Sequence, residues 1–343
     1  KKSQNAWCKL EMSQNSTTTG QSLTDVAKGG LSTGHQISSR IAPFLARKME
    51  ELQNKNIDNR EKTGKSRFGS SGMCLNDTKS KSDRREYFNF TIPSCGLEVL
   101  AIDSRKDVEM RREVGNASAA AALSVAVGSF SDPDEAQGLA HFLEHLVFMG
   151  SSKYEGENYY DSFISSHGGD CNAYTETEFT NFQFDVKAPH FAEALDIFAN
   201  CFYAPTMTPS AIKREVSAIQ NEFQLAKSSD AARVAQCVCC ASGPGHVLRK
   251  FSWGNRRSLV DLPKENAVDM HALLREFHRV HYRAANMKLV VLAPIDMDEL
   301  VDLVYASFGH WTPEPPMLCT PSAVPSLPLA KIRPQKECLT GMG

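Results

Sequence analysis

The sequence predicts an α+β fold, a mostly antiparallel sheet with helices packed on it. Two observations carry that expectation. Short stretches of β-forming residues recur, two of them spaced as a hairpin. Helical patterns outnumber them and dominate the second half of the chain. A length of 343 residues has room for one large domain with tails or for two domains.

Residues 1–83 read as a disordered or low-complexity extension. The first 49 are rich in Ser, Thr, Gly and Gln and more basic than acidic, and 40–55 form one helical stretch. The same composition fits a transit peptide as a second reading. Residues 84–311 read as the globular domain. Strands are expected at 97–102 and 119–127. A helix then spans the 139–149 region, where Leu139, Phe142, Leu143, Leu146, Val147 and Met149 place apolar groups on several sides. Ser131, Asp132, Pro133, Asp134 and Glu135 supply its start, and Gly150 and Ser151 its end. Helix 157–166 follows, then the hairpin 170–175 and 179–186. Further helices are expected at 189–202, 209–227, 230–241 and 267–281. A buried-type strand at 288–292 and a helix at 297–308 complete the domain. Residues 312–343 form the last segment. Seven prolines between 312 and 334 mark a linker there.

Composition removes several function classes. The net charge of −2, with 23% charged residues, offers no basic surface for nucleic acid. No apolar run approaches the ~18 residues of a membrane span. Ten cysteines lack the spacing of a disulfide framework, which favours a reducing compartment and a cytoplasmic location. A mitochondrial location is the alternative that the transit-peptide reading would bring. Cys237, Cys239 and Cys240 cluster without a partner Cys-x-x-Cys or His pair and read as structural thiols.

The chemistry concentrates in His141, Phe142, Leu143, Glu144 and His145. Two histidines four apart share one helix face, the spacing at which two imidazoles grip one metal ion, and Glu144 beside them is placed to act as a base. The order His-x-x-Glu-His reverses the zincin motif. A buried helix carrying two His and a Glu must satisfy those groups, and metal ligation does so. A catalytic zinc takes three protein ligands and leaves a fourth position for water. The third comes from elsewhere. Residues 209–227 read as a helix capped by Thr208 with Pro209 in its first turn. That helix carries Glu215 and Glu222, seven apart and on one face. Either could be the ligand with the other supporting it, and a solvated acidic face is the plain alternative.

On these residues the chain resembles the pitrilysin–insulysin–nardilysin family of inverzincin metallopeptidases. The family pattern places a Glu ligand 76 residues beyond the second histidine, and 76 residues separate His145 from Glu222. The resemblance runs from Arg84–Tyr87 through Gly128–Pro133, the motif, Lys153-Tyr154, His167–Gly169, Asn172-Ala173, Phe182–Val186, Gly245-His246 and Lys250–Asn255, and fades after about residue 311. Phe-Leu inside the motif and the Trp253-Gly254-Asn255 run look most like the nardilysin branch. That branch carries a long acidic insertion ahead of the motif, whereas 107–116 is short and mixed in charge here.

The resemblance implies one zinc ion per chain on His141, His145 and Glu222, with Glu144 as base and Glu215 supporting the site. It implies peptide substrates held on Asn172, Ala173 and Tyr174, and a preference for basic sites. It also implies that this domain is the first of several in a longer protein, with the opposite half contributing substrate contacts, and that 330–334 begin a second domain. A zinc metalloendopeptidase is therefore the expected function. A non-catalytic scaffold or partner subunit of the same fold, or an inactive fragment of a longer peptidase, is the alternative.

Overall fold

The structure, a computed structural model, describes residues 72–76, 79–111 and 117–312. Most of the expected extension, its helical stretch at 40–55 and all but the first residue of the Pro-rich segment lie outside them.

Seven strands make one sheet: β1 (Gly72–Cys74), β2 (Glu86–Thr91), β3 (Glu98–Asp103), β4 (Ser118–Val125), β5 (Asp170–Thr175), β6 (Thr180–Lys187) and β7 (Met287–Ala293). Their order is β1-β2-β3-β7-β4-β6-β5. The β3–β7 pair is parallel and the other pairs are antiparallel. This is the mostly antiparallel α+β architecture that the sequence predicts. β4 runs between β7 and β6, with Ala121 opposite Val291 on one side and Phe184 on the other.

The helices among the described residues are α1 (Arg105–Arg111), α2 (Leu139–Val147), α3 (Tyr159–Ser166), α4 (Phe191–Tyr203), α5 (Pro209–Ala226), α6 (Asp230–Ala241), α7 (Leu262–Glu265), α8 (Met270–His281) and α9 (Met297–Phe308). Strand periodicity decides which face they cover. In β4, Ala119, Ala121, Leu123 and Val125 are buried, while Ala120 and Ala122 on the other face are partly open. β6 buries Thr180, Phe182, Phe184 and Val186 in the same register. On that buried face Phe184 and Phe182 meet Phe198 and Phe202 of α4, with ring centroids 5.0 and 4.8 Å apart. Phe148 stacks on Tyr160 at 4.5 Å beside them. Aromatic pairs at these separations add to area burial. The one buried carboxylate of α4, Asp196, is bonded by Lys153 and Tyr154, two residues that the sequence singles out without a role.

Some elements differ from expectation. β2 is absent from the expected strands because its alternation rests on Phe88 and Phe90 alone, within a charged stretch. β1 lies inside the stretch read as extension, and three residues are too few to display a period. The motif helix begins later than its cap candidates: Leu139 is its first residue, after Gly138 at φ +92°. Asp132 still serves that end, from six and eight residues away. It accepts from the N–H groups of Gly138 (2.7 Å) and Ala140 (2.8 Å). α5 starts as predicted, with Thr208 accepting from Ala211 N–H and Pro209 in the first turn.

His278 of α8 is buried, donates from Nε2 to the Phe202 carbonyl at 2.8 Å and stacks on Tyr282. Burial pulls its imidazole down to about 4, although the carbonyl contact works in the other direction. The folded value lies below the unfolded one of about 6.5, so the neutral ring contributes fully above pH 6.5. That contribution is lost as the pH falls toward 4 and amounts to roughly 3 kcal/mol. Denaturant titrations from pH 7.5 to 4.5 will show a steeper acid loss of stability in the wild type than in His278→Gln, which keeps a donor to the carbonyl. Equal slopes would remove His278 from the acid sensitivity.

Candidate metal centre

α2 projects His141 and His145 one turn apart, with ring centroids 4.9 Å apart in an edge-to-face pair. Their Nε2 atoms face each other at 3.3 Å. α5 supplies the third group. Glu222 places Oε2 3.4 Å from His141 Nε2 and Oε1 3.7 Å from His145 Nε2. One ligand atom from each of the three residues lies within 4.8 Å of the others. Glu215, two turns earlier on the same face of α5, accepts from His145 Nδ1 at 3.2 Å. Of the two carboxylates left open by their spacing, Glu222 joins the cluster and Glu215 stands behind it.

The hydrogen bonds define the protonation of the pair. Trp253 offers a carbonyl oxygen 2.7 Å from His141 Nδ1, so that nitrogen must donate. Glu215 offers a carboxylate oxygen to His145 Nδ1, which donates likewise. In the neutral rings both Nε2 atoms therefore carry lone pairs, 3.3 Å apart. Such an arrangement is repulsive unless a cation or a proton stands between the lone pairs, and the Glu222 carboxylate beside them strengthens the demand. Two imidazoles and a carboxylate, each imidazole oriented through its other nitrogen, fit zinc. Without metal, a proton fills the demand. Burial works to lower the His145 imidazole, but Glu215, Glu222 and Glu144 outweigh it and raise it to about 10. Burial likewise works to raise the Glu222 carboxyl, yet the two histidines hold it well below the usual carboxylate range.

Glu144 lies on the same helix and is 8% exposed. Its Oε2 accepts from the Thr175 hydroxyl at 2.6 Å. Thr175 ends β5, the edge strand that also carries Asn172, Ala173 and Tyr174. Tyr174 is 43% exposed and meets Phe179 edge to face.

The segment from Lys250 to Arg256 clamps both ligand helices. Lys250 Nζ donates to the carbonyls of Phe130 and Asp132, at 2.7 and 2.6 Å. Phe251 N–H donates to Gln137, and Arg256 N–H to Gln220 of α5, each at 2.8 Å. Gly254, at φ +74°, lies directly on Gly138, where a Cβ would come within 2.2 Å of the Gly254 Cα. That close approach brings the Trp253 carbonyl to His141. Trp253 and Thr175 stand at the site as positions to which sequence reasoning gives no role. The paired glycines, of which Gly254 lies in a run that carries the resemblance, are the signal that could have exposed the clamp.

Comparison with known proteins gives the same direction. Residues 107–240 match the family described as Insulinase (Peptidase family M16), and residues 271–340 match the Peptidase M16 inactive domain. The second match takes in α8, β7 and α9, of which β7 lies between β3 and β4 in the sheet described above. The chain is 50% identical over 203 residues to nardilysin of Rattus norvegicus, covering 59% of this chain and 18% of that protein. It is 38% identical over 234 residues to insulin-degrading enzyme of Homo sapiens, covering 68% of this chain and 22% of that one. Among solved structures it resembles the crystal structure of pitrilysin, with a TM-score of 0.62 and 30% identity, covering 70% of this chain and 24% of that one. The chain spans about a fifth of the length of the curated relatives it matches.

Two outcomes follow for the metal-free chain. Because His145 holds a proton up to about pH 10, zinc must displace it. Calorimetry at pH 7.5 in buffers of different ionisation enthalpy will show about one proton released per zinc, and affinity will rise with pH. A zinc affinity independent of pH between 6 and 9 would contradict this. Gly138→Ala, which forces a Cβ against Gly254, will weaken zinc binding at least about tenfold in a competition assay with a metal-sensitive dye.

Proposed function

We propose, for a chain that belongs to the insulinase (M16) peptidase family, that it is the zinc-binding part of a metalloendopeptidase that cleaves peptides. The observation that carries this reading is the convergence of two imidazole Nε2 atoms and the Glu222 carboxylate, a donor set that fits one divalent ion. His141, His145 and Glu222 would hold that ion, one per chain. Zinc bound there supplies a water acidified toward neutrality and a polarised scissile carbonyl.

The chain's own residues do the rest. Glu144 accepts the proton of the attacking water and delivers it to the leaving amine. Its low exposure keeps bulk water from competing for that role. Glu215 keeps the His145 ring oriented through Nδ1, and the Trp253 carbonyl does the same for His141. A peptide would add to the open edge of β5 by main-chain hydrogen bonds, alongside Asn172, Ala173 and Tyr174. The N–H groups of Cys171 and Ala173 donate to the side chains of Asp170 and Asn172, at 3.0 Å each, and an incoming strand would take the place of those acceptors. The similarity to nardilysin supports a preference for basic sites.

We read 84–311 as the catalytic domain, 1–83 as an extension whose strand β1 joins the sheet, and 312–343 as a Pro-rich linker and the start of a second domain. Because the relatives are far longer, full turnover would require the remainder of a longer chain or a partner half. No helix among the described residues is long and apolar enough to cross a membrane. The ten cysteines, scattered without the spacing of a disulfide framework, support a reducing, cytoplasmic setting.

Glu144→Gln will retain one zinc per chain by elemental analysis while cleavage of a quenched peptide falls at least about a hundredfold. Undiminished cleavage by that variant would end the base assignment. Zinc binding without cleavage in the wild type would identify the chain as an incomplete piece of a longer peptidase.

A further inference from the structure

We infer that Thr175 is a positioning residue for Glu144. The inference rests on the reading of Glu144 as the base. Among the described residues, the Thr175 hydroxyl is the one hydrogen-bond donor to that carboxylate, at 2.6 Å on Oε2. A glutamate on a helix turns about three side-chain bonds, whereas a β-branched threonine on a paired strand is stiff at χ1. A short, charge-assisted bond between them therefore transfers the rigidity of the sheet to the carboxylate. It holds one oxygen and leaves the other to take a proton.

The surroundings reserve the Thr175 proton for this use. Its partner across the hairpin is Thr180, which is fully buried and gives its own hydroxyl proton to the Val127 carbonyl at 2.8 Å. The two hydroxyl oxygens are 3.4 Å apart, too long to compete with the 2.6 Å bond to Glu144. Both ends of the Thr175–Glu144 bond are also tied to the same stretch of backbone. The turn after Thr175 is held by Ser129 N–H on the Glu176 carbonyl (3.1 Å) and Phe130 N–H on the Thr177 carbonyl (2.9 Å). Gly128 makes this contact possible, since a Cβ there would meet the Glu176 carbonyl oxygen at 2.3 Å. Two residues further on, Asp132 secures the start of the helix that carries Glu144. Strand and helix thus share one anchor. Thr175 also directly follows Tyr174, so the strand offered to a peptide is the strand that orients the base.

The test compares Thr175→Val, which keeps the shape and loses the donor, with Thr175→Ser, which keeps the donor. In the zinc-loaded chain, Thr175→Val is expected to lower kcat at least about tenfold with KM within about twofold, zinc content unchanged and the thermal midpoint near wild type. Thr175→Ser is expected to recover most of the loss. If the chain alone turns over no peptide, the readout is binding of a peptide hydroxamate, whose N–O–H group donates to Glu144 as the attacking water would. Thr175→Val should weaken it about tenfold and Thr175→Ser should restore it. Unchanged kcat or hydroxamate affinity in Thr175→Val would overturn the inference, as would Thr175→Ser behaving like Thr175→Val. The base reading fails separately, through an active Glu144→Gln. A silent Glu144→Gln beside an unaffected Thr175→Val removes Thr175 alone.

Discussion

Two imidazole nitrogens face each other across 3.3 Å, and each ring has already committed its other nitrogen as a donor. The carboxylates of Glu144, Glu215 and Glu222 stand around them, so neutral rings would leave a partly buried pocket of negative charge. Such a pocket is costly in a low-dielectric setting unless a cation enters it. The raised His145 and the depressed Glu222 express that demand in the metal-free chain, where one proton can answer only part of it. A divalent ion would answer it with three contacts at once. The surrounding fold holds these groups together.

Most of that holding is done by backbone. Asp132 binds the start of α2, Lys250 binds the carbonyls on either side of Ser131, and Gln220 reaches from α5 to the same loop. The two ligand helices are joined through the segment from Lys250 to Arg256 as well as by direct packing. Gly138 and Gly254 both adopt positive φ, which L side chains rarely do, and their contact leaves no space for a Cβ at Gly138. Glycine accepts that approach without strain, and the imidazoles are oriented by ordinary hydrogen bonds through their Nδ1 atoms.

How much of this could be read in the sequence depended on whether the feature belonged to a side-chain period. The helix face that pairs His141 with His145, and the one that pairs Glu215 with Glu222, follow from spacings of four and seven. Thr208 and Pro209 announced the start of α5 because N-caps and first-turn prolines have residue signatures. The choice between Glu215 and Glu222 did not follow from spacing, since both lie on one face. It needed the family's interval, and the structure sets the two at different depths. The Trp253 carbonyl could not be read, because every residue has a carbonyl and only the path of the chain selects one. Asp132 was visible as a cap but not as one that works six and eight residues away. Thr175 resembled any β-branched strand residue. β2 went unread because two aromatics in a charged run carry little periodic signal.

The placement of the centre relative to the sheet bears on what the site can accept. A cavity of about 330 Å³ lies on the more open face of the sheet, lined among others by Ala120, Ala122, Asn172, Gln183, Val290 and Leu292. It contains none of the metal-site groups, so concavity does not mark the chemistry here. The ligand cluster sits on the opposite side, where α2 lies against the edge strand β5. Along β5 the exposure alternates, with Asp170, Asn172 and Tyr174 more open than Cys171, Ala173 and Thr175. The more covered set leads to Glu144 through Thr175. A peptide added at that edge would run beside the base and would not need a deep pocket. Recognition by main chain at an edge is indifferent to most side chains. Under the proposed function, selectivity would then come from the few groups near the scissile bond.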